Sequence, residues 1–299
     1  MSGWLVSLEG TEAGRTLALT LALSAALLHA IFGALQKGRH DPWLSRAAID
    51  AAVTLLSLAL IPLVPWPEPH MWPIFAGAWA IHTGYKILQA MTYSRGAYTV
   101  VYPVVRGTGP LFAMFGAILV FGERYTPGQW LGLAVLLTGI YGLAVYNLRH
   151  VTVGRDTLVP ALGFAVATGA FVALYTTYDA FGIRATADPF TFLVWFFFID
   201  GLTLPVVFGR RLWRLPAAEA RSIVRLGVIG AGVAYMSFGS IMLATRLDKV
   251  GEAAVLRETS TVFAALIGWI MLGEKVGPRR AALMAAIAAG AVIVEVAGR

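Results

Sequence analysis

Residues 105–127 read VRGTGPLFAMFGAILVFGERYTP, and residues 256–278 read LRETSTVFAALIGWIMLGEKVGP. Both stretches are apolar runs that end in Gly-Glu followed by a basic residue, and at an offset of 151 they share seven identities in 23 positions. The identical pairs are Arg106/Arg257, Thr108/Thr259, Phe112/Phe263, Ala113/Ala264, Gly122/Gly273, Glu123/Glu274 and Pro127/Pro278. This repeat predicts a duplicated chain with a first half at 1–148 and a second half at 149–299.

The composition indicates that the chain lies in lipid. Its 299 residues are 58% hydrophobic and 13% charged, whereas soluble proteins carry about 25% charged residues. Apolar stretches long enough to span hydrocarbon, about 20 residues each, occur at ten places: 17–35, 47–64, 71–92, 97–121, 126–145, 157–180, 190–208, 222–245, 251–272 and 278–296. We therefore predict an all-α membrane protein with ten transmembrane helices in two five-helix repeats.

The distribution of Lys and Arg predicts the orientation. The loops after the odd-numbered spans hold thirteen basic residues, and the opposite loops with both termini hold six. The richer side should be cytoplasmic, so both termini face outward from the inner membrane. Five is an odd number, so the second repeat enters the membrane upside down. We expect two inverted repeats around a central cavity, a form that allows alternating access.

The third predicted span carries one polar face. His82, Tyr85, Lys86, Gln89 and Tyr93 are spaced 0, 3, 4, 7 and 11, which places them on one side of a helix. We interpret this face as a cavity wall, with Lys86 as the cation for an anionic substrate group, because Lys seldom serves as packing in lipid. The alternative is a structural polar seam between helices.

The fourth predicted span combines aromatic, basic and helix-bending residues. Tyr98, Tyr102 and Arg106 lie one turn apart, with Pro103 and Pro110 among them. Proline frees backbone carbonyls and favours a kink. This pattern favours a moving gate beside a cavity, with a static kink as the equal alternative.

The charged residues of the repeat itself have two interpretations. Arg106 and Arg257 occupy equivalent places, which favours a shared structural role through backbone carbonyls, Glu258 or Asp200 over direct substrate contact. Glu123 and Glu274 follow the ends of apolar spans, so we expect them to cap and position the next helix.

The sixth and eighth predicted spans offer aromatic and polar side chains. Tyr175 and Asp179 share one face of the sixth, and Tyr235 and Phe238 lie on the eighth. Such a wall suits a small amphipathic ligand that stacks on rings. Ordinary helix packing is the alternative for each aromatic residue. The first span contains His29 as its ionisable residue and no carboxylate.

Several other functions are disfavoured by the sequence. It contains no cysteine, Walker loop, His-Glu-x-x-His or Gly-x-Ser-x-Gly pattern, so we predict no enzyme activity, catalytic residue, cofactor or metal site. The net charge of +7 is scattered over short loops, which disfavours nucleic-acid binding. A membrane-embedded enzyme for lipid-linked substrates and a non-transporting subunit are weaker alternatives.

The chain resembles a known family through two longer stretches. Residues 87–115 read ILQAMTYSRGAYTVVYPVVRGTGPLFAMF, and residues 239–266 read GSIMLATRLDKVGEAAVLRETSTVFAAL. With ten predicted helices, these are similar over the whole chain to EamA-type members of the drug/metabolite transporter superfamily, most of all to aromatic amino-acid exporters of the YddG type. One departure is Thr261, where the family usually has the proline that the first half keeps as Pro110. We therefore expect the ninth span to bend less than the fourth.

The resemblance implies a secondary transporter that exports amino acids, aromatic ones first, by alternating access. In this hypothesis the substrate carboxylate approaches Lys86 and its polar neighbours, and rocking of the third, fourth, eighth and ninth spans alternates access. Tyr102, Tyr175, Tyr235 and Phe238 contact the substrate side chain. We expect a functional monomer in the lipid bilayer, and another small metabolite or drug is the alternative substrate.

Overall fold

The computed structural model describes residues 2–36, 40–95, 98–149, 155–272 and 277–299. Within these ranges every regular element is a helix, which confirms the all-α prediction for that part of the chain. The helices are α1 (Gly3–Ser7), α2 (Glu12–Gln36), α3 (Pro42–Leu60), α4 (Met71–Arg95), α5 (Tyr98–Phe121), α6 (Pro127–Leu148), α7 (Arg155–Ala185), α8 (Pro189–Gly201), α9 (Thr203–Trp213), α10 (Ala217–Leu247), α11 (Val250–Arg257), α12 (Ser260–Leu272) and α13 (Pro278–Gly298).

Many of these helices can cross a membrane. By length and composition seven qualify among the described residues, namely α2, α3, α5, α6, α7, α10 and α13. Helices α8 and α9, bent by 46° at their junction, would together make an eighth. The predicted multi-pass membrane protein is confirmed at this level. The count of ten stays a prediction, because α4 is less apolar and residues 250–272 form two short helices.

Three helix starts follow directly from the local sequence. Each has an acidic or hydroxyl residue followed by proline, and the side chain before the proline caps the helix. Asp41 accepts from the N–H groups of Trp43 and Leu44 at 2.8 and 3.1 Å. Thr126 forms a reciprocal capping box with Gln129. Asp188 caps α8 in the same way, so these breaks between apolar runs are encoded locally.

The chain contacts divide the molecule into two compact units. The first unit consists of Met1–Thr83 and Asp179–Leu247, and the second of Gly84–Tyr178 and Asp248–Arg299. Each unit therefore takes segments from both predicted halves. The halves 1–148 and 149–299 stay a prediction, because shared ancestry does not require each half to pack only with itself.

In the first unit, α10 packs along α2 and α3, and α8 packs against α3. Ser237 on α10 donates a hydrogen bond to the carbonyl of Ala25 on α2 at 2.9 Å. Near the end of α10, Arg246 donates to the carbonyls of Ile183 and Thr186. The last turn of α7 is thereby tied to α10 by hydrogen bonds to otherwise unsatisfied carbonyls.

In the second unit, α6 and α13 form a closely packed pair. A Cβ added to Gly290 would lie 2.5 Å from the backbone nitrogen of Leu136 and 2.6 Å from the carbonyl oxygen of Gly132. The two backbones can approach this closely because neither glycine carries a side chain. Helix α5 packs against α6 and α11, and α13 also contacts α11 and α12.

Candidate functional site

The polar face of the third predicted span lies on α4, and the boundary between the units crosses it. His82 belongs to the first unit, whereas Tyr85, Lys86 and Gln89 belong to the second. His82 and Lys86 are buried, with exposed fractions of 5% and 8%. The side chain of Tyr93 lies outside the described residues. The face therefore supplies side chains to two groups, one in each unit.

In the second unit, α4 and α7 meet through two tyrosine rings. The rings of Tyr85 and Tyr175 pack edge to face, with centroids 5.0 Å apart. Gln89 donates its side-chain N–H to the Tyr85 hydroxyl at 2.6 Å, and Arg257 of α11 donates to the Tyr175 hydroxyl at 3.3 Å. Three helices therefore contribute aromatic and polar groups to one cluster.

The arginines of the repeat lie in the same unit. The Nε atom of Arg106 lies 3.1 Å from the Oε2 atom of Glu258, and another guanidinium nitrogen of Arg106 donates to Ser260. Glu258 also interacts electrostatically with Arg257, and Arg106 with Tyr85 and Tyr175. Arg106 thus pairs with Glu258, which is one of its two predicted carboxylate partners. Glu258 interacts with both arginines of the repeat.

This arginine–glutamate triad is deeply buried. The exposed fractions of Arg106, Arg257 and Glu258 are 6%, 4% and 3%. A buried charge costs several kcal/mol unless neighbouring groups compensate it. The triad contains two guanidinium groups and one carboxylate, so cationic groups outnumber anionic ones within it. Donor-rich surroundings of this kind suit an anionic group such as a carboxylate.

The predicted gate residues of α5 have different surroundings. The guanidinium of Arg106 lies over the ring of Tyr102, 5.6 Å from its centroid, at the distance of a cation–π contact. Pro110 is buried, and the chain stays helical through both prolines from Tyr98 to Phe121. Tyr102 therefore joins the cluster of the second unit, whereas Pro110 is buried within a helix that continues past it.

The ninth predicted span differs from the fourth in its continuity, and the expectation that it bends less stays a prediction. The helical conformation is interrupted between α11 and α12, at residues 258–259, although no proline is present there. The amides of Glu258, Thr259 and Thr261 each bond a carbonyl three residues back, and the hydroxyl of Thr259 donates to the carbonyl of Leu256 at 2.7 Å. A hydroxyl side chain that bonds its own backbone competes with the α-helical pattern, and Thr259 forms such a bond at this interruption.

In the first unit, His82 and Asp179 form a buried pair between α4 and α7. The Nε2 atom of His82 lies 2.9 Å from the Oδ2 atom of Asp179. The ring of Phe196 on α8 packs edge-on against His82 at 4.9 Å. The described residues contain no group of three or more His, Asp or Glu that could hold a metal ion.

The remaining predicted contacts of the first unit are aromatic. Tyr235 on α10 packs against Phe197 on α8, with centroids 4.2 Å apart. Phe238 meets the edge of His29 on α2 at 6.0 Å. These residues and the His82–Asp179 pair lie in the first unit. The second unit contains the tyrosine–arginine cluster, which consists of Tyr85, Tyr102, Tyr175, Arg106, Arg257 and Glu258.

Glu123, near the end of the first copy of the repeat, caps α11 rather than the next helix in the chain, α6. Glu123 accepts from the amide of Val250 at 2.8 Å and of Gly251 at 3.4 Å, at the start of α11. A carboxylate is favourable there because helix N-termini carry exposed N–H groups and a positive dipole end. The next helix, α6, is capped by Thr126 instead. Burial and the Glu123 carboxylate together raise the pKa of Tyr125, which donates to Glu123.

Glu274 is the equivalent of Glu123 in the second copy of this motif. Gly273, Glu274 and Lys275 lie outside the described residues. The capping role predicted for Glu274 therefore stays a prediction.

Sequence reasoning missed several partners of the candidate residues. Ser260, which accepts from Arg106, is the repeat mate of Gly109, so the repeat could have marked it as a changed position. Phe196 and Phe197 lie in a run of three phenylalanines that gives no sign of which ring faces inward. Thr92 and Thr168 join α4 and α7 by a buried hydrogen bond of 2.7 Å, and only the pairing of helices in space shows it.

Comparisons with known proteins agree with this fold. Residues 159–296, just under half of the chain, match the EamA-like transporter family, which supports the predicted resemblance to the EamA superfamily. No curated protein sequence matches the chain. A crystal structure of a protein with 18% sequence identity is similar, with a TM-score of 0.73 over 93% of this chain and 97% of that chain. At this identity the similarity concerns the fold alone.

Proposed function

We propose that the chain is an EamA-type transporter that exports amino acids, with aromatic ones as its preferred substrates. The family match over residues 159–296 supports a transporter of small metabolites. The seven membrane-crossing helices support a multi-pass membrane protein. The proposal of an aromatic amino acid as substrate rests on the tyrosine–arginine cluster of the second unit, because this cluster combines cationic groups with aromatic rings.

The cluster fits the two chemical parts of an aromatic amino acid. The guanidinium groups of Arg106 and Arg257 would donate to a carboxylate, and the buried Lys86 of the same unit would add a third cation. The rings of Tyr85 and Tyr175, which pack edge to face, and the ring of Tyr102 would form the aromatic wall for the substrate side chain. A site that combines a few polar groups with aromatic walls is typical of small-molecule binding.

Other parts of the proposal rest on the sequence. The excess of Lys and Arg on one set of loops supports an inner-membrane protein with both termini outside. The repeat supports alternating access by a monomer. His82, Asp179, Tyr235 and Phe238 stay sequence predictions for substrate contact, and Pro110 stays one for gating.

Transport by reconstituted protein tests the proposal. Purified protein in liposomes should take up labelled phenylalanine or tryptophan above protein-free liposomes. Lys86→Ala should reduce this uptake by about tenfold or more, because a hydrogen bond to a charged group contributes about 1.5–3 kcal/mol. Arg225→Ala, which removes an exposed arginine of α10, is the matched control and should transport normally.

Two results would count against parts of this account. Unchanged uptake by Lys86→Ala would remove Lys86 from the binding site while leaving the transporter proposal in place. Absence of amino-acid uptake by the wild-type protein, together with uptake of a sugar phosphate or a quaternary cation, would replace the substrate proposed here.

A further inference from the structure

A groove lies between α6 and α13, within the second unit. Its volume is about 740 Å³, and its walls include Tyr141 and Val145 of α6 and Leu283 of α13. Both helices are membrane-crossing by length and composition. An apolar groove along such helices is of the size and character that a hydrocarbon chain fills.

One end of the groove is cationic. Arg149, which follows the last residue of α6, and Arg279, the second residue of α13, both line it. Both side chains are exposed. Within the described residues neither arginine forms an ion pair, whereas their neighbour Arg280 donates to the side-chain oxygen of Asn147 at 3.0 Å. Two basic groups from different helices therefore converge on the mouth of an apolar groove.

The position of Arg279 has no explanation within its own helix. The first turn of a helix carries the positive end of the dipole, so a basic residue there is unfavourable by a few tenths of a kcal/mol or more. Gly277 before the helix provides no side-chain cap. An anion held between Arg149 and Arg279 would relieve this repulsion.

The groove therefore has a cationic end that matches an anionic head group and apolar walls that match an acyl chain. The loops that contain Arg149 and Arg279 belong to the set predicted to face the cytoplasm, where membranes carry anionic lipids and basic pockets between helices bind their head groups. A second copy of this chain fits less well. A two-fold interface would bring the same arginines of both copies toward each other.

We propose that this groove binds an anionic phospholipid, with the phosphate between Arg149 and Arg279 and an acyl chain along Tyr141, Val145 and Leu283. Binding of a lipid here does not depend on which substrate the protein transports. The groove would hold a lipid against the closely packed α6–α13 pair of the second unit.

Lipid retention measured by native mass spectrometry tests the proposal. Wild-type protein reconstituted in vesicles of equimolar phosphatidylglycerol and phosphatidylcholine, then released in mild detergent, should retain phosphatidylglycerol in preference to phosphatidylcholine. Each arginine near an anionic lipid surface is worth about fivefold in affinity. The double variant Arg149→Ala/Arg279→Ala should therefore lower phosphatidylglycerol retention by about twenty-fold.

Two further variants separate the site from general surface charge. Arg214→Ala/Arg221→Ala removes two exposed arginines, one between α9 and α10 and one near the start of α10. Both are predicted to face the same side, and their removal should leave retention unchanged. Ala282→Phe adds bulk to the groove lining without a change of charge, and should also reduce retention.

Three outcomes would overturn the proposal. The first is equal phosphatidylglycerol retention by wild type and Arg149→Ala/Arg279→Ala. The second is an equal loss in the Arg214→Ala/Arg221→Ala control, which would mean nonspecific charge attraction. The third is a lipid-free dimer that Ala282→Phe dissociates, which would assign the groove to a second copy of the chain.

Discussion

Glu258 is the residue on which the charge balance of the second unit depends. It is the repeat mate of Gly107, so the first copy of the motif has no carboxylate at this place. Its side chain faces Arg106 and Arg257, and all three groups are buried. The duplicated arginines therefore share an acid that only the second half supplies, and the two copies of the repeat differ in chemistry as well as in position.

Replacing this carboxylate should be costly. Glu258→Gln removes the negative charge that both arginines face, and the loss of one partner from a buried ion pair costs about 3–5 kcal/mol. We expect a clearly lower midpoint of thermal unfolding for purified Glu258→Gln in detergent. Glu295→Gln is the matched control, because Glu295 pairs with the exposed Arg299 and such pairs are worth at most about 1 kcal/mol. Equal midpoints for the two variants would contradict a structural role of the triad.

At the scale of elements, the sequence predicts three helix starts but does not predict the interruption between α11 and α12. The starts of α3, α6 and α8 follow from a capping residue before proline and can be located in the sequence. The interruption between α11 and α12 could not be located in this way. It coincides with the Thr259 hydroxyl, which bonds the carbonyl of Leu256, and with the buried Glu258, and no proline marks it in the sequence.

The contact between α6 and α13 gives a prediction at the same scale. Gly290→Ala places a methyl group within 2.6 Å of the Gly132 carbonyl oxygen, so the backbones must move apart. Overpacking of this kind costs about 1–3 kcal/mol, and the midpoint of thermal unfolding should fall. Gly163→Ala on α7 is the control, since nothing lies within 4 Å of the added Cβ and alanine favours a helix by about 1 kcal/mol. A Gly290→Ala variant as stable as Gly163→Ala would show that this close approach is unimportant.

At the scale of the whole molecule, the sequence predicts the class of the protein better than its packing. Composition and apolar stretches predicted an all-helical, multi-pass membrane protein, because lipid requires long apolar helices with internally satisfied backbones. The grouping of segments into two units was not predictable, since it depends on which faces of distant helices meet. The same limit applies to the site. The pattern on α4 predicted that Tyr85, Lys86 and Gln89 share one helix face, but the pairing of Tyr175 with Arg257 and of His82 with Asp179 arises only from packing.

The central claim is that the protein recognises an aromatic amino acid through its carboxylate and its ring. A thermal-shift screen of purified wild-type protein against amino acids, quaternary cations and sugar phosphates tests it most directly. We predict that phenylalanine and tryptophan raise the unfolding midpoint, and that phenylalanine amide, which lacks the carboxylate charge, and alanine, which lacks the ring, do so far less. Stabilisation by quaternary cations or sugar phosphates, with none by aromatic amino acids, would contradict the claim.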